Sequence, residues 1–329
     1  MVSGLYVSNK YEFGTMLKKL RSLLGKQNRS VNNINEMFNI LLDDTKSPKL
    51  NLGKLQATLN NQKEKINSIH EIEFKVFSQW GDDGIIQYLI NKIDIVNKTF
   101  IEFGVENYKE SNTRFLLINN NWSGYVIDGS KENIGYIKRD SIYWAFDIRA
   151  KEAFITKENI NELLSEFIRL GYDPEIGLLS IDIDGNDFWI WKEIDVINPI
   201  IVVTEYNAVF GKYNAWTIPY KADFYRHNES TSFQYWGASL KAFCKLAETK
   251  GYYFIGCNSN GNNAYFVRKD KISNLRKLGP EEGFTDSKFR EYVDLNGERV
   301  GGNNRLKLIA GMNILDLESN EIKKIEVNV

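Results

Sequence analysis

The chain has 329 residues, of which 43% are hydrophobic, 13% aromatic and 26% charged, a composition typical of globular proteins and not of disordered or fibrous ones. The net charge of -1 excludes a general nucleic-acid binder. Two cysteines exclude a disulfide scaffold, and no apolar run is long enough for a membrane helix, so we expect a cytoplasmic protein.

The charge is unevenly divided along the chain. Residues 1–70 contain 11 Lys and Arg against 5 Asp and Glu, whereas residues 71–329 contain 31 against 38. Apolar residues in the first region recur at helical spacing, in three stripes: Phe13, Met16, Leu17, Leu20 and Leu24; Ile34, Met37, Phe38 and Leu41; Leu52, Leu55, Leu59, Ile66 and Ile69. We predict a helical extension over residues 1–70 that packs on the main domain or forms a homo-oligomer. The alternative is a basic arm that contacts an anionic surface.

Residues 71–269 predict an α/β domain with a Rossmann-like seven-stranded sheet. Five near-continuous apolar runs indicate parallel strands buried on both faces. Two further runs are separated only by residues 258–263, too few for a crossover helix, so they predict a terminal antiparallel hairpin. The predicted strands are residues 99–105, 124–128, 143–148, 177–184, 199–206, 252–257 and 264–268, with helices over 157–170 and 239–250. Residues 270–329 are predicted to be a C-terminal appendage.

Polar residues follow the first three predicted strands, at the edge where open α/β sheets bind ligands. Glu102 ends the first strand, and the next residue but one, Gly104, lets a ligand approach the backbone. The loop lacks the G-x-G-x-x-G pattern, and its acid suits an amine-bearing ligand better than a phosphate. Asp128 could accept hydrogen bonds from both hydroxyls of a ribose, and Asp147 could accept one from an adenine amino group. Asn112 or Thr113 is a candidate helix cap.

Together with an upstream segment, these residues resemble a known enzyme family. The segment is Phe77-Ser78-Gln79-Trp80-Gly81-Asp82-Asp83-Gly84-Ile85-Ile86. The combination is similar to class I S-adenosylmethionine-dependent methyltransferases, and most to the FkbM-like sugar O-methyltransferases of bacterial polysaccharide clusters, over about residues 74–268. The resemblance implies S-adenosylmethionine as cofactor, held by these residues: Ser78 and Gln79 at the methionine end, Glu102 and Gly104 at the amino group, Asn112 and Thr113 in the loop, Asp128, Gly129 and Ser130 at the ribose, Asp147 at the adenine, and Asp182.

The fourth and fifth predicted strands end in further acids and amides. Asp182 and Asp184 lie two residues apart on a strand and therefore on one side of it, and Glu205 and Asn207 follow the neighbouring strand. Such an oxygen-rich set suits Mg²⁺ or Mn²⁺, which would orient an acceptor hydroxyl. In the alternative, Asp182 contacts the cofactor while Asp184 and Asp187 cap the next helix. The Asp-x-Asp spacing is also found in metal-dependent glycosyltransferases.

Nine aromatic residues lie between positions 210 and 236, where they could cover a site and stack on a sugar. His227 lies among them and is a candidate general base, or else a surface histidine. The predicted catalytic residues are His227 and Asp182, and the predicted substrate residues are Tyr206, Trp216, Tyr220, Arg226, Tyr235 and Trp236.

The expected function is methyl transfer to a sugar hydroxyl. By the resemblance, the sugar would be nucleotide-linked, in the narrowest form a GDP-heptose, and used in capsule or surface polysaccharide assembly. Two alternatives stay open at this point: a metal-dependent glycosyltransferase built on Asp182 and Asp184, and a non-catalytic oligomeric scaffold.

Overall fold

The computed structural model describes residues 48–288 and 304–327. The described residues from position 53 onward belong to one compact unit. The first two predicted helical stripes, between Phe13 and Leu41, lie outside the described residues. The third stripe begins in helix α1, Pro48–Asn61, but that helix ends before Ile66. Ile69 instead opens a short 3-10 helix, Ile69–Ile72.

Seven strands form the main sheet: β1 Thr99–Phe103, β2 Ser123–Asp128, β3 Ile148–Glu152, β4 Leu178–Ile181, β5 Ile201–Glu205, β7 Tyr252–Cys257 and β8 Asn263–Arg268. Their order is β3-β2-β1-β4-β5-β8-β7. The first five are parallel, and β8 runs antiparallel between β5 and β7. The predicted Rossmann-like sheet, with five parallel strands and a terminal antiparallel hairpin, is therefore confirmed.

Helices cover the sheet and connect its strands. They are α2 Asp82–Lys92, α3 Arg114–Asn120, α4 Lys131–Arg139, α5 Ile142–Ala145, α6 Ile160–Arg169, α7 Asp187–Glu193, α8 Arg226–Glu229, α9 Leu240–Lys250, α10 Pro280–Gly283 and α11 Asn304–Lys307. The Ser239 side chain accepts a hydrogen bond from the backbone of Ala242 at the start of α9, and Gly251 ends that helix in a left-handed conformation, as the sequence predicts. Among the described residues, no helix is both long enough and apolar enough to cross a membrane.

The third strand differs from its prediction. Residues 142–145 form the short helix α5, and β3 begins only at Ile148. The aromatic run before Ile148 was mistaken for a buried strand because a short apolar run fits either structure. The shift moves Asp147 from the end of the strand to the position just before its beginning.

A second, smaller sheet joins the aromatic segment to the C-terminal appendage. It has the order β10-β9-β6, with β6 Trp216–Thr217, β9 Asn313–Asp316 and β10 Glu321–Lys324. Its hydrophobic core contains residues from 210–236, mostly aromatic, and isoleucines from the appendage: Phe210, Ile218, Phe224, Tyr235 and Trp236, with Ile309, Ile314 and Ile325. The appendage therefore completes a hydrophobic core that the aromatic segment begins.

Candidate functional site

One cavity of about 730 Å³ opens at the edge of the main sheet where the five parallel strands end. It is bordered by the loops that follow β1, β2, β3, β4 and β5 and by the loop that precedes β8. This is the edge at which open α/β sheets bind ligands. Among the predicted site residues it brings together Gln79, Glu102, Gly104, Asn112, Asp128, Gly129, Ser130, Asp182, Asp184, Glu205, Arg226 and His227.

Glu102 organises the loop after β1. Its carboxylate accepts hydrogen bonds from the backbone of Asn112 at 2.9 Å, the backbone of Thr113 at 3.1 Å and the hydroxyl of Ser111 at 2.6 Å. Burial raises the pKa of Glu102, although these hydrogen bonds act in the opposite direction. Asn112 in turn donates to the Ser180 hydroxyl at 3.1 Å. Glu102 thus fixes the loop and also contributes an acceptor to the cavity wall.

Gly104 is required by the close approach of β4. Its φ is +69°, and a Cβ at this position would lie 1.6 Å from the backbone oxygen of Asp182. No other residue fits, because the backbone of Asp182 occupies the space. The glycine therefore serves the packing of two chain segments, whereas the sequence predicted that its missing side chain makes room for a ligand.

Asp128 ends β2 and connects two loops of the cavity. One carboxylate oxygen accepts from the backbone of Glu106 at 2.8 Å, and the other accepts from the backbone of Ser130 at 2.8 Å and the side chain of Asn133 at 3.3 Å. Each carboxylate oxygen can accept more than one hydrogen bond, so the bonds to the protein leave acceptor capacity for a ligand.

Asp147 is not part of the cavity. It precedes β3, at the opposite edge of the sheet, and its carboxylate accepts hydrogen bonds from the Tyr172 hydroxyl at 2.9 and 3.0 Å. The assignment of Asp147 to the adenine was wrong because the predicted end of the strand was wrong. The true β3 ends at Glu152, and Ala153, Phe154 and Ile155 border the cavity in its place. The side chain of Phe154 is 52% exposed.

The segment before α2 is held together by Asp83. One carboxylate oxygen accepts from the backbone amides of Val76, Phe77 and Ser78 at 2.7 to 2.8 Å and from the Ser78 hydroxyl at 2.8 Å. Ser78 is fully buried by these bonds and does not border the cavity, in contrast to its predicted role. Gln79 does border it. Thr113, likewise, is fully buried and bonds to Glu102.

Three carboxylates meet on the β4 and β5 side of the cavity. Asp182, Asp184 and Glu205 each have an oxygen within 4.8 Å of the others. Burial, together with the negative charge of nearby Asp184, raises the pKa of Asp182 well above its usual value. Asp184 is paired with Arg226, whose guanidinium lies 2.7 Å from its carboxylate and 4.7 Å from the centre of the Trp236 ring.

Asn207 does not join this carboxylate cluster. Its side-chain oxygen accepts from the backbone of Val209 at 3.0 Å, and its amide donates to the carbonyls of Gln234 and Trp236 at 2.9 and 3.0 Å. These bonds fix the start of the aromatic segment, and they leave Asn207 outside the cavity. Its assignment as a metal ligand is wrong. Asp187, the first residue of α7, accepts from the backbones of Ile183 and Gly185 at 2.9 Å. These donors precede the helix, so Asp187 holds the loop and does not cap α7, in contrast to the alternative for that residue.

Most of the aromatic segment is core and does not cover the cavity. The hydroxyls of Tyr206, Tyr220 and Tyr235 bond to Thr285, Glu158 and Asn313, respectively, and the indole of Trp216 donates to Asp316. These tyrosines and both tryptophans, Trp216 and Trp236, lie outside the cavity, so of the predicted substrate residues the structure places Arg226 alone at its wall.

The described part of the aromatic segment contributes Phe224, Tyr225, Arg226 and His227 to the cavity. His227 is exposed and lies in α8, with its ring centre 4.7 Å from that of Phe233. Other cavity residues are absent from the sequence prediction, among them Asn133, Phe154, Asn186, Phe224, Asn262 and Asn263. The last two fall in the predicted connection 258–263, and a signal for them was their place directly before the predicted strand 264–268.

No family model matches the sequence, and no curated protein matches it either. Solved structures do resemble it. One is an S-adenosylmethionine-dependent methyltransferase from Aquifex aeolicus, with 8% identity, a TM-score of 0.35 and coverage of 65% of this chain and 97% of the other.

Another is the O-methyltransferase from Bacillus cereus in complex with S-adenosylhomocysteine, with 11% identity, a TM-score of 0.38 and coverage of 68% of this chain and 92% of the other. A third is an O-methyltransferase family protein from Burkholderia thailandensis, with 9% identity, a TM-score of 0.34 and coverage of 73% of this chain and 58% of the other. At these identities and TM-scores, similarity does not establish an activity for this chain.

Proposed function

We propose that the protein is an S-adenosylmethionine-dependent O-methyltransferase that acts on a sugar hydroxyl. The observation that carries the proposal is the convergence of Glu102, Asp128 and Asp182 in one cavity, each at or just beyond the carboxyl end of a different parallel strand. These acids come from β1, β2 and β4, which are neighbours in the sheet.

The side chains of the cavity fit this cofactor chemically. S-adenosylmethionine carries an ammonium, two ribose hydroxyls and a positively charged sulfonium. A carboxylate can accept hydrogen bonds from the ammonium and the hydroxyls, and its negative charge attracts the ammonium and the sulfonium. Glu102 would accept from the ammonium and Asp128 from the ribose hydroxyls, while Phe154 offers an exposed aromatic face beyond β3 for a base. When bound, the cofactor supplies an electrophilic methyl group on its sulfonium sulfur.

The residues of this chain would orient the acceptor, exclude water and remove a proton. Positioning of the hydroxyl supplies much of the rate in a transfer of this kind. Phe224 and Tyr225 border the cavity next to Arg226 and His227 and would help to exclude water. His227, on the same wall, is the proposed general base for the acceptor hydroxyl.

A divalent cation is a further part of the proposal. Asp182, Asp184 and Glu205 offer oxygen ligands within 4.8 Å of one another, a set that suits Mg²⁺ or Mn²⁺. To ligate a cation, Asp184 would have to exchange its ion pair with Arg226. A cation in this position would bring the acceptor hydroxyl close to the methyl group. Activity that is lost in EDTA and restored by Mg²⁺ or Mn²⁺ would support this part, and full activity in EDTA would remove it.

The finer identity of the acceptor stays a prediction. A nucleotide-linked sugar such as GDP-heptose, with a role in capsule or surface polysaccharide, is implied only by the family resemblance. The glycosyltransferase alternative would place a nucleoside diphosphate here, but four acidic side chains, Glu102, Asp182, Asp184 and Glu205, border this end of the cavity. An anionic diphosphate is disfavoured in such surroundings unless a metal is bound.

Calorimetry with S-adenosylhomocysteine tests the proposal. We expect saturable binding by the wild type and a loss of roughly 100-fold in affinity in Asp128→Ala, since the variant lacks the acceptor for two hydroxyls and its support for the Glu106 loop. Asp147→Ala is the matched control and should bind normally, because Asp147 lies at the opposite edge of the sheet. Binding of a nucleoside diphosphate and not of S-adenosylhomocysteine would overturn the proposal in favour of glycosyl transfer.

The role of His227 is tested separately with labelled cofactor and a panel of nucleotide sugars. His227→Ala should lower kcat about 100-fold, because a general base contributes to the proton transfer step. Its affinity for S-adenosylhomocysteine should be unchanged. A wild-type turnover rate in the variant would assign the base to another group.

A further inference from the structure

The start of β8 brings two buried asparagines to the cavity, one directly before the strand and one at its first position. Asn262 and Asn263 are 2% and 3% exposed, and both border the cavity. Asn263 pairs with Glu205 across β8 and β5, and the carbonyl of Asn262 accepts from the backbone of Tyr206 at 2.8 Å. The two amides therefore lie beside the carboxylate side of the cavity, next to Glu205.

The orientation of the Asn263 amide is set by Asp82. One oxygen of the Asp82 carboxylate accepts from the side-chain nitrogens of Asn263 at 3.0 Å and Asn258 at 2.9 Å and from the hydroxyl of Tyr265. A carboxylate only accepts, so the NH₂ group of Asn263 must face Asp82. Its side-chain oxygen is then the group turned away from Asp82 and available to a ligand.

Asn262 is oriented in the opposite sense by Asn258. The side-chain oxygen of Asn262 accepts from the Asn258 amide at 2.8 Å, while the Asn258 oxygen accepts from the backbones of Gly261, Asn262 and Asn263. The NH₂ group of Asn262 is therefore its available group. Within the described part of the chain, no hydrogen bond involves this NH₂ group or the side-chain oxygen of Asn263.

We propose that Asn262 and Asn263 form the acceptor subsite, in which one amide donates to and the other accepts from adjacent hydroxyls of an uncharged, polyhydroxylated acceptor. A hydroxyl both donates and accepts, so neighbouring hydroxyls match a donor and an acceptor held side by side. A carboxylate or phosphate bound here would have no proton to donate to the Asn263 oxygen. It would also lie close to the Glu205 carboxylate. The subsite rests on the proposed function, and it specifies the reacting end of the acceptor as neutral.

Asp82 acts as a positioning residue in this subsite. It is fully buried, outside the cavity wall, and belongs to the segment that precedes the sheet. Glu73 of the same segment also bonds to the loop, through the backbone and hydroxyl of Ser259. Glu73 and the first residue of α2, Asp82, thus hold the start of β8 and the turn before it in place, which gives the predicted cofactor motif a second use at the acceptor end.

Titration of the protein with sugars in the presence of saturating S-adenosylhomocysteine, followed by NMR saturation transfer, tests the subsite. The probes are methyl glycosides of glucose, mannose, galactose and a heptose, each hexoside paired with its uronate. We expect neutral glycosides to bind and uronates to bind at least tenfold more weakly. Asn262→Ala and Asn263→Ala should each weaken binding of the best neutral glycoside about 5- to 30-fold.

Asn260→Ala is the matched control, because it removes an amide from the same loop outside the cavity wall. It should bind sugar as the wild type does, and all three variants should retain wild-type affinity for S-adenosylhomocysteine. Unchanged sugar binding in both subsite variants, preferred binding of uronates, or no binding of any probe by the wild type would overturn the subsite. If the wild type does not bind S-adenosylhomocysteine, the proposed function itself is overturned.

The variant Asp82→Asn tests whether Asp82 positions the side-chain amide of Asn263. It removes the carboxylate that sets the Asn263 amide, so sugar affinity should fall as in Asn263→Ala while S-adenosylhomocysteine affinity is retained. If the buried substitution prevents folding, Tyr265→Phe removes one donor to Asp82 and should leave sugar affinity within about twofold of wild type. Normal sugar affinity in folded Asp82→Asn would remove its positioning role.

Discussion

Two regions were predicted to be parts of a site: the loops after β1 and β2, and the aromatic segment 210–236. The loops place their acids at the cavity, whereas most of the residues predicted in the aromatic segment lie outside it. In the loops, Glu102 and Asp128 lie at the cavity as predicted. In the aromatic segment, Trp216 and Tyr235 belong to a hydrophobic core shared with the C-terminal appendage. A strand that is buried on both faces fixes the place of the residue that ends it, whereas aromatic composition alone does not tell whether a ring covers a ligand or packs in a core.

Gly104→Ala tests the first region and should have the largest effect. Its Cβ would lie 1.6 Å from the Asp182 carbonyl in a backbone with φ of +69°. We expect a loss of roughly 3 kcal/mol or more in the free energy of unfolding, measured with urea. Gly129→Ala is the control, because its Cβ would find its nearest neighbour, Phe154, at 3.6 Å. Equal stability of the two variants would show that β1 and β4 do not need this close approach.

Ile314→Ala tests the second region. Ile314 is fully buried in the core of the small sheet, so its truncation should cost about 2–4 kcal/mol of unfolding free energy. Its affinity for S-adenosylhomocysteine, measured at a temperature where the variant is folded, should stay at the wild-type value. Ile322→Ala, at a position in β10 that is 63% exposed, should be nearly neutral. A stable Ile314→Ala with altered ligand binding would instead favour a covering role for this region.

Asp83→Asn should have a smaller, pH-dependent effect. Burial raises the pKa of Asp83 to about 6, above the roughly 3.9 of an unfolded chain. The carboxyl therefore contributes stability that is fully present below about pH 4 and is lost as the pH rises through about 6, at most about 3 kcal/mol. Asparagine keeps an acceptor oxygen but does not titrate. Urea unfolding should show the variant gaining relative to wild type between pH 4 and 7.

Asp223→Asn is the surface control for the substitution, since the side chain of Asp223 is 85% exposed and its replacement should change the free energy of unfolding little. If the difference in stability between Asp83→Asn and wild type is the same at every pH from 4 to 7, the carboxyl of Asp83 is ionised throughout, and its hydrogen bonds outweigh its burial.

The sequence predicted the sheet and the acids at its edge because both depend on local patterns. Buried parallel strands appear as apolar runs, and the polar residues that end them lie at one edge. The error at Asp147 arose where a short apolar run formed the helix α5. Asn207 is held by Gln234 and Trp236, so its exclusion from the carboxylate cluster depends on contacts about 30 residues away.

The two asparagines at the start of β8 could not be predicted as a subsite from one sequence. Asn and Gly are common turn residues, and the loop does form a turn. The orientation of the Asn263 amide depends on Asp82, 181 positions earlier in the chain. No local pattern connects two such residues, and their contact follows only from the placement of β8 beside β5.

That distance along the chain also sets the order in which the cavity is completed. The proposed cofactor residues Glu102, Asp128, Phe154 and Asp182 are all encoded by residue 182, so the cofactor half of the cavity has these residues before β8 is made. The acceptor half also needs Asn258, Asn263 and Tyr265, whose hydrogen bonds to Asp82 join residues that lie 176 to 183 positions apart in the chain. Contacts of such long range form slowly, so we expect a nascent chain to acquire the cofactor half before it can hold an acceptor.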